Sequence, residues 1–109
     1  MSLKPLVWIG TSRRDYASFP EDVQSIAGRE LWLVQSGREP MSWKPMPVIG
    51  AGVNEIRVYT KLAHRVFYVA KFPEGIYVLH AFEKKTQQTS QVDIDKGKTR
   101  FAEMKRGRP

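Results

Sequence analysis

Apolar and polar positions alternate most regularly in the second half of the chain. EIRVYT, residues 55–60, alternates the two classes, as a strand with one face in water does. HRVFYVAKF, residues 64–72, and IYVLHAF, residues 76–82, are denser in β-branched and aromatic residues. The links between them are short. TKLA joins the first pair, and FPEG joins the second, with Pro73 and Gly75 where a type I turn favours them. Three such runs predict an antiparallel meander. Side chains two apart share a face, so Glu55, Arg57 and Tyr59 oppose Ile56 and Val58. The same rule groups His80 with Val78 and Phe82, against Tyr77, Leu79 and Ala81. Both sides of that last strand are apolar, which predicts a central, covered position.

Before the meander the period changes. PLVWIG, residues 5–10, reads as a short edge strand. TSRRD follows with helix-start chemistry, Ser12 as N-cap and Asp15 three residues on. SFPEDV repeats the signal: Ser18 and Glu21 form a capping box, with Pro20 in a first turn. Val23, Ile26, Ala27, Leu31 and Val34 then recur at helical spacing until Gly37. Residues 12–36 are therefore two helices, or one kinked at Pro20. Residues 39–52 hold three prolines and read as a long irregular loop, with Met41, Trp43 and Met46 pinning it to the core. The GAG at 50–52 lacks the lysine and hydroxyl residue of a phosphate loop and is set aside. Ser90 with Asp93 opens a last helix with a thin stripe, Ile94, Phe101 and Met104, and the tail KRGRP frays. The predicted fold is a single α+β domain over residues 1–109. It has a small antiparallel sheet, made of the meander plus the N-terminal edge strand, with helices on one face.

Composition narrows the function. Lysine and arginine number 18 against 11 acids, a net charge of +7. Residues 1–40 carry five of each sign, so the whole surplus lies downstream. A localised surplus of that size attracts polyanions such as nucleic acid or an acidic partner. Without cysteine there is no disulfide framework or thiolate metal site. No apolar run approaches the roughly 20 residues that span a bilayer. The N-terminal segment lacks the pattern of a secretion signal, and the expected location is the cytoplasm.

His64 and His80 lie on different strands with no carboxylate cluster beside them, so no metal site is expected. No nucleophile elbow is present either. The inventory suits phosphate instead. Arginine offers a planar fork and lysine a point charge, while Tyr59, Phe67, Tyr68 and Phe82 offer rings on which an unpaired base can stack. Each position has a plainer reading. A histidine in an apolar strand is more often a hydrogen-bonded core residue, Arg57 and Arg65 can pair with Glu55, and Lys84 and Lys85 can be a solvated strand exit. The functional reading rests on their convergence near one end of the sheet.

WKPM (43–46), EIR (55–57), HRVFYVA (64–70) and LHAFEKKT (79–86), in this order, resemble the phage-derived RelE/HigB-like toxins of bacterial type II toxin–antitoxin systems. The resemblance covers nearly the whole chain. It implies a ribosome-dependent messenger RNA endoribonuclease, needing no cofactor, that is neutralised by a cognate antitoxin, often a helix-turn-helix protein. It nominates Arg57, Arg65, Lys84 and Lys85 for the active cleft, with His80 and Tyr68 behind them; Tyr59, Tyr68 and Phe82, from the inventory of rings above, are the expected RNA contacts. Glu83 departs from the neutral residue expected before the lysine pair. The same superfamily includes gyrase poisons that act without catalysis. A regulatory nucleic-acid-binding module is the third possibility.

Overall fold

The computed structural model describes residues 2–109. Its elements are β1 (Leu6–Trp8), α1 (Ser12–Ala17), α2 (Glu21–Gln35), β2 (Trp43–Pro45), β3 (Val53–Tyr59), β4 (Ala63–Val69), β5 (Ile76–Lys84) and α3 (Gln91–Gly107). The three-strand meander forms as its alternation predicts, with β3 antiparallel to β4 and β4 to β5.

The sheet is larger than expected, and mixed. Its order is β1-β5-β4-β3-β2. β1 is an edge strand as predicted, but it runs parallel to β5, because α1 and α2 return the chain before the meander begins. Residues 39–52 are not wholly irregular. Trp43, Lys44 and Pro45 pair with Ile56, Glu55 and Asn54, and Pro45 is tolerated because β2 is an outer strand. Met46 and Ile49 are buried, but Met41 is 79% exposed and pins nothing.

Helices cover both faces, not one. On the first face Val23, Ala27, Leu31 and Val34 of α2 pack against Ile56, Val58, Val66, Tyr68, Ile76, Val78 and Ala81. Ile26, on the predicted apolar stripe, faces outward. On the second face Ile94, Phe101 and Met104 of α3, with Met46 and Ile49, cover Val53, Phe67, Val69, Tyr77, Leu79 and Phe82. Gly97 lets α3 pack closely: a Cβ there would lie 3.0 Å from both Phe67 of the sheet and Ile49 of the preceding loop. Close packing accounts for a glycine in a helix interior, where it ordinarily costs about 1 kcal/mol against alanine.

The helix ends differ from expectation at their starts. Thr11, not Ser12, precedes α1, and Ser12 is buried with its hydroxyl donating to the Val78 carbonyl at 2.9 Å. Pro20 precedes α2 with no capping side chain, and Ser18 donates to the Asp15 carbonyl instead of forming the box with Glu21. Gly37, at φ 82°, ends α2 as predicted. Its N–H donates to Val34 and that of Arg38 to Leu33, the double bond of a Schellman turn. Ser90 caps α3 as predicted, accepting from the Asp93 N–H at 3.2 Å. The tail does not fray before Gly107. Arg108 bonds Glu74 at 2.7 Å and lies 3.4 Å over the Phe72 ring. Among the described residues no helix is long and apolar enough to cross a membrane.

Candidate functional site

One irregularity in β5 sets the chemistry of the second face. Phe67 of β4 stands opposite His80 and Tyr68 opposite Val78, so Leu79 is an extra residue, a bulge. The bulge breaks the strict alternation expected along this strand. Val78 and Ala81 both point to α2, while Leu79 and Phe82 point to α3. His80, facing Phe67, therefore joins Leu79 and Phe82 and not Val78. The bulged carbonyl is not orphaned, since Arg100 of α3 donates to the Leu79 oxygen at 3.0 Å.

With the register fixed, the nominated residues fall into rows on this one face. Tyr59, Ala63 and Lys84 form the outermost row, then Arg57, Arg65 and Phe82, then Lys44, Glu55, Phe67 and His80. Arg57, Arg65, Lys84, Tyr59, Phe82 and His80 are thus brought together. Tyr68 is not. It lies on the opposite face at 2% exposure beneath α2, and burial pushes its phenol far above the ordinary range. Lys85 lies one residue beyond β5 and is exposed.

At the centre is a carboxylate. Glu55 Oε1 lies 3.5 Å from Arg65 Nε and 3.6 Å from Arg57 Nε, with the Glu55 side chain 1% exposed. Burial raises its pKa above the usual 4.5, against the opposing pull of Arg65, Lys44, Arg57 and Lys84. The two arginines therefore share one acid, and the lysines leave the local balance positive. The plain reading of a surface ion pair fails for Arg65, which is 1% exposed. Its guanidinium donates to the His64 carbonyl at 3.0 Å and to the Tyr59 hydroxyl at 3.3 Å, and the Tyr59 ring lies over it at 4.9 Å. Arg57 keeps a third of its side chain in water. Lys84 is half-buried and reaches the Gln87 carbonyl at 2.7 Å.

His80 has a different station. Its Nε2 lies 2.7 Å from Asp93 Oδ1, and Ser90 bonds the other oxygen of that carboxylate at 2.7 Å. Its ring stacks on Phe82, 4.7 Å between centroids and 18° between planes. Burial lowers its pKa below 6.5 despite Asp93, so the ring is neutral at neutral pH and donates Nε2–H to the carboxylate. His80 thereby ties β5 to the cap of α3 and holds the Phe82 ring beside Arg65. Past the end of β1, next to this pair, a cleft of about 320 Å³ opens between α1, β5 and α3, lined by Phe19, His64, Glu83 and Lys96 among others.

Lys44 and Asp93 are functional candidates that the sequence did not nominate for the site, although Lys44 lies within WKPM. Lys44 sits between prolines that hide a strand, and Asp93 was legible only as a cap. Pairing of Lys44 with Glu55 across β2 and β3 is the signal that finds the first.

Comparison with curated proteins finds no match. Comparison with protein families matches residues 14–102, most of the chain, to a model described as phage derived protein Gp49-like (DUF891). The matched span takes in α2, the whole meander and the start of α3, and so every residue of the cluster above. The chain belongs to the Gp49-like family of phage-derived proteins.

Proposed function

We propose that this protein is the toxin of a type II toxin–antitoxin system, of the RelE/HigB-like kind, and that it cuts messenger RNA on the ribosome. One observation carries the reading: Lys44, Arg57, Arg65 and Lys84 gather on one sheet face around a single buried carboxylate. Membership of a phage-derived family supports it, as does the resemblance of EIR, HRVFYVA and LHAFEKKT to those toxins.

In this reaction the 2′-oxygen attacks the adjacent phosphorus. The new P–O2′ bond forms as the P–O5′ bond breaks, leaving a 2′,3′-cyclic phosphate and a 5′-hydroxyl. The 2′-hydroxyl proton goes to a base, and the leaving 5′-oxygen takes one up. Charge grows on the phosphorane oxygens, where fixed cations are most effective. Arg57, Lys84 and Lys44 are the cations that reach a phosphate. Arg65, held from behind by Glu55 and Tyr59, contributes positive potential and fixes the Tyr59 ring. Tyr59, 61% exposed, is the stacking surface for a base. Proton transfer falls to Lys84 or Lys85, since the Nε2 of His80 is engaged with Asp93. The messenger is presented by the ribosome, and a cognate antitoxin, of the helix-turn-helix kind, neutralises the activity.

The test is in vitro translation with primer extension on the message. Discrete cuts that Arg57→Ala abolishes without unfolding the protein support the reading. Intact transcripts alongside broken chromosomes in dying cells assign the chain to the gyrase poisons instead.

A further inference from the structure

We propose that the cleft between α1, β5 and α3 binds a small aliphatic polyamine, its ammonium groups held by carboxylates and its methylene chain lying on aromatic rings. β1 pairs with β5 only as far as Val78, so from His80 onward the outer edge of β5 has no strand beside it among the described residues. The cleft of about 320 Å³ opens there. Each of its three walls carries an acid: Asp15 from α1, Glu83 from β5 and Asp93 from α3. Among the described residues Lys96 is the one lysine or arginine that lines it. On a chain with a surplus of +7 this is a local reversal of sign. A recessed site of one sign concentrates ions of the other.

These acids are not all neutralised from within. Glu83 is half-buried opposite His64 and forms no side-chain hydrogen bond or ion pair with any described residue. Asp93 is met by Ser90 and by the neutral His80, both uncharged donors. Asp15 accepts from Thr11 at 2.7 Å and has Arg14 at 4.0 Å, but that arginine is 79% exposed, where an ion pair contributes little. Arg100 is near His80 yet does not line the cleft, because it is turned onto the Leu79 carbonyl and the Thr11 hydroxyl. Lys96 is exposed and pairs with no acid among the described residues. Glu83 and Asp93 therefore face the cleft without a cationic partner.

A buried histidine points the same way. His64 lines the cleft at 2% exposure, and neither ring nitrogen has a hydrogen-bond partner among the described residues. Leaving so buried a polar group unpaired is costly. Its Nδ1 is sealed from water, which leaves Nε2 to meet an occupant. Burial lowers its pKa, so the ring is neutral at neutral pH and can accept an N–H from an ammonium group. Phe19, edge-on to His64 at 4.7 Å, and Phe82 add apolar surface and ring faces that attract cations. Acids on three separate walls suit a ligand with more than one positive centre, and the same acids repel a phosphate. The described residues hold no group of three side chains fit to ligate a metal ion, so the cation is an organic one. The site does not depend on the nuclease reading.

The test is calorimetric titration of the full chain with spermidine, putrescine and butylamine at neutral pH and low salt, with the rise in thermal midpoint as a second readout. Spermidine and putrescine should each bind once per chain, and the monoamine about tenfold more weakly or worse. Glu83→Gln should weaken the polyamines about tenfold, while the thermal midpoint of the unliganded variant stays at the wild-type value. Lys96→Met, at the exposed rim, should tighten them, the opposite of its effect on an anionic ligand. Neither heat nor a rise in midpoint at millimolar polyamine overturns the proposal. So does equal affinity for Glu83→Gln or for butylamine, or weaker binding to Lys96→Met. Guanosine binding that Glu83→Gln abolishes gives the cleft to a nucleobase and overturns it too. A lysine-containing peptide that binds more tightly than spermidine gives it to a protein side chain, with the same result.

Discussion

Glu55 and Arg65 face each other across neighbouring strands with 3.5 Å between Oε1 and Nε, and both side chains are almost wholly out of water. Glu55 cannot be removed alone without leaving the buried Arg65 uncompensated. Breaking a buried pair of this kind costs about 3–5 kcal/mol, whereas replacing both members by apolar residues is often near neutral. Glu55→Ala should therefore lower the unfolding free energy by that amount in urea titration. The double variant Glu55→Leu with Arg65→Met should regain most of it. Equal stability of Glu55→Ala and wild type would show that the pair does not hold the sheet.

The cationic face makes a quantitative claim about salt. For a single-stranded ligand each lost phosphate contact reduces the slope of log affinity against log salt by about 0.7. Arg57→Ala, Lys84→Ala and Lys44→Ala should each shift the slope for an RNA oligonucleotide by about that much. Lys105→Ala, in the last turn of α3, should leave it unchanged. An equal shift for Lys105 would mean diffuse attraction by the whole chain.

The two histidines bear on acid sensitivity. Burial lowers the pKa of both His64 and His80 in the folded state. The unfolded chain therefore binds their protons first, and stability should decline as pH falls below about 6.5. Glu83, Asp22 and Arg65 act on His64, and Asp93, Arg100 and Lys96 act on His80. Glu55, with its raised folded pKa, works in the opposite direction by taking up a proton more readily when folded. The urea midpoint should be lower at pH 5.5 than at 7.5, and His64→Gln with His80→Gln should reduce the difference. An unchanged difference would place the acid response elsewhere.

Glu74 carries the reverse sign. Hydrogen bonds from Arg108 and Tyr77 hold its pKa at about 2, well below 4.5. The stabilisation from this clasp is complete above about pH 4.5 and disappears as pH falls through about 2. Glu74→Gln should lower the melting temperature at neutral pH, and the deficit should shrink steadily between those limits. A constant deficit would identify a packing effect of the substitution, independent of the charge.

Local pattern carried the reading of the meander, the span of α2, its stop at Gly37 and the cap of α3 at Ser90. Each depends on residues within a few positions of one another, where period, caps and turn chemistry act directly. The residues nominated for the site were also legible as residue types. Their grouping was less so: the bulge at Leu79 reverses the face of His80, and Tyr68, which looked equivalent to Tyr59, belongs to the core under α2.

The amino-acid sequence by itself determined the helices, the meander and the N-terminal edge strand, the basic surplus and the residue types able to meet a phosphate. Only the tertiary structure decided that β1 runs parallel to β5, that β2 exists, that α3 takes the face opposite α2, and that four cations surround Glu55. The reason is that each of these rests on pairing between residues far apart in the chain. Such pairing follows from how the faces can be buried together, and the spacing of neighbours along the sequence does not encode it.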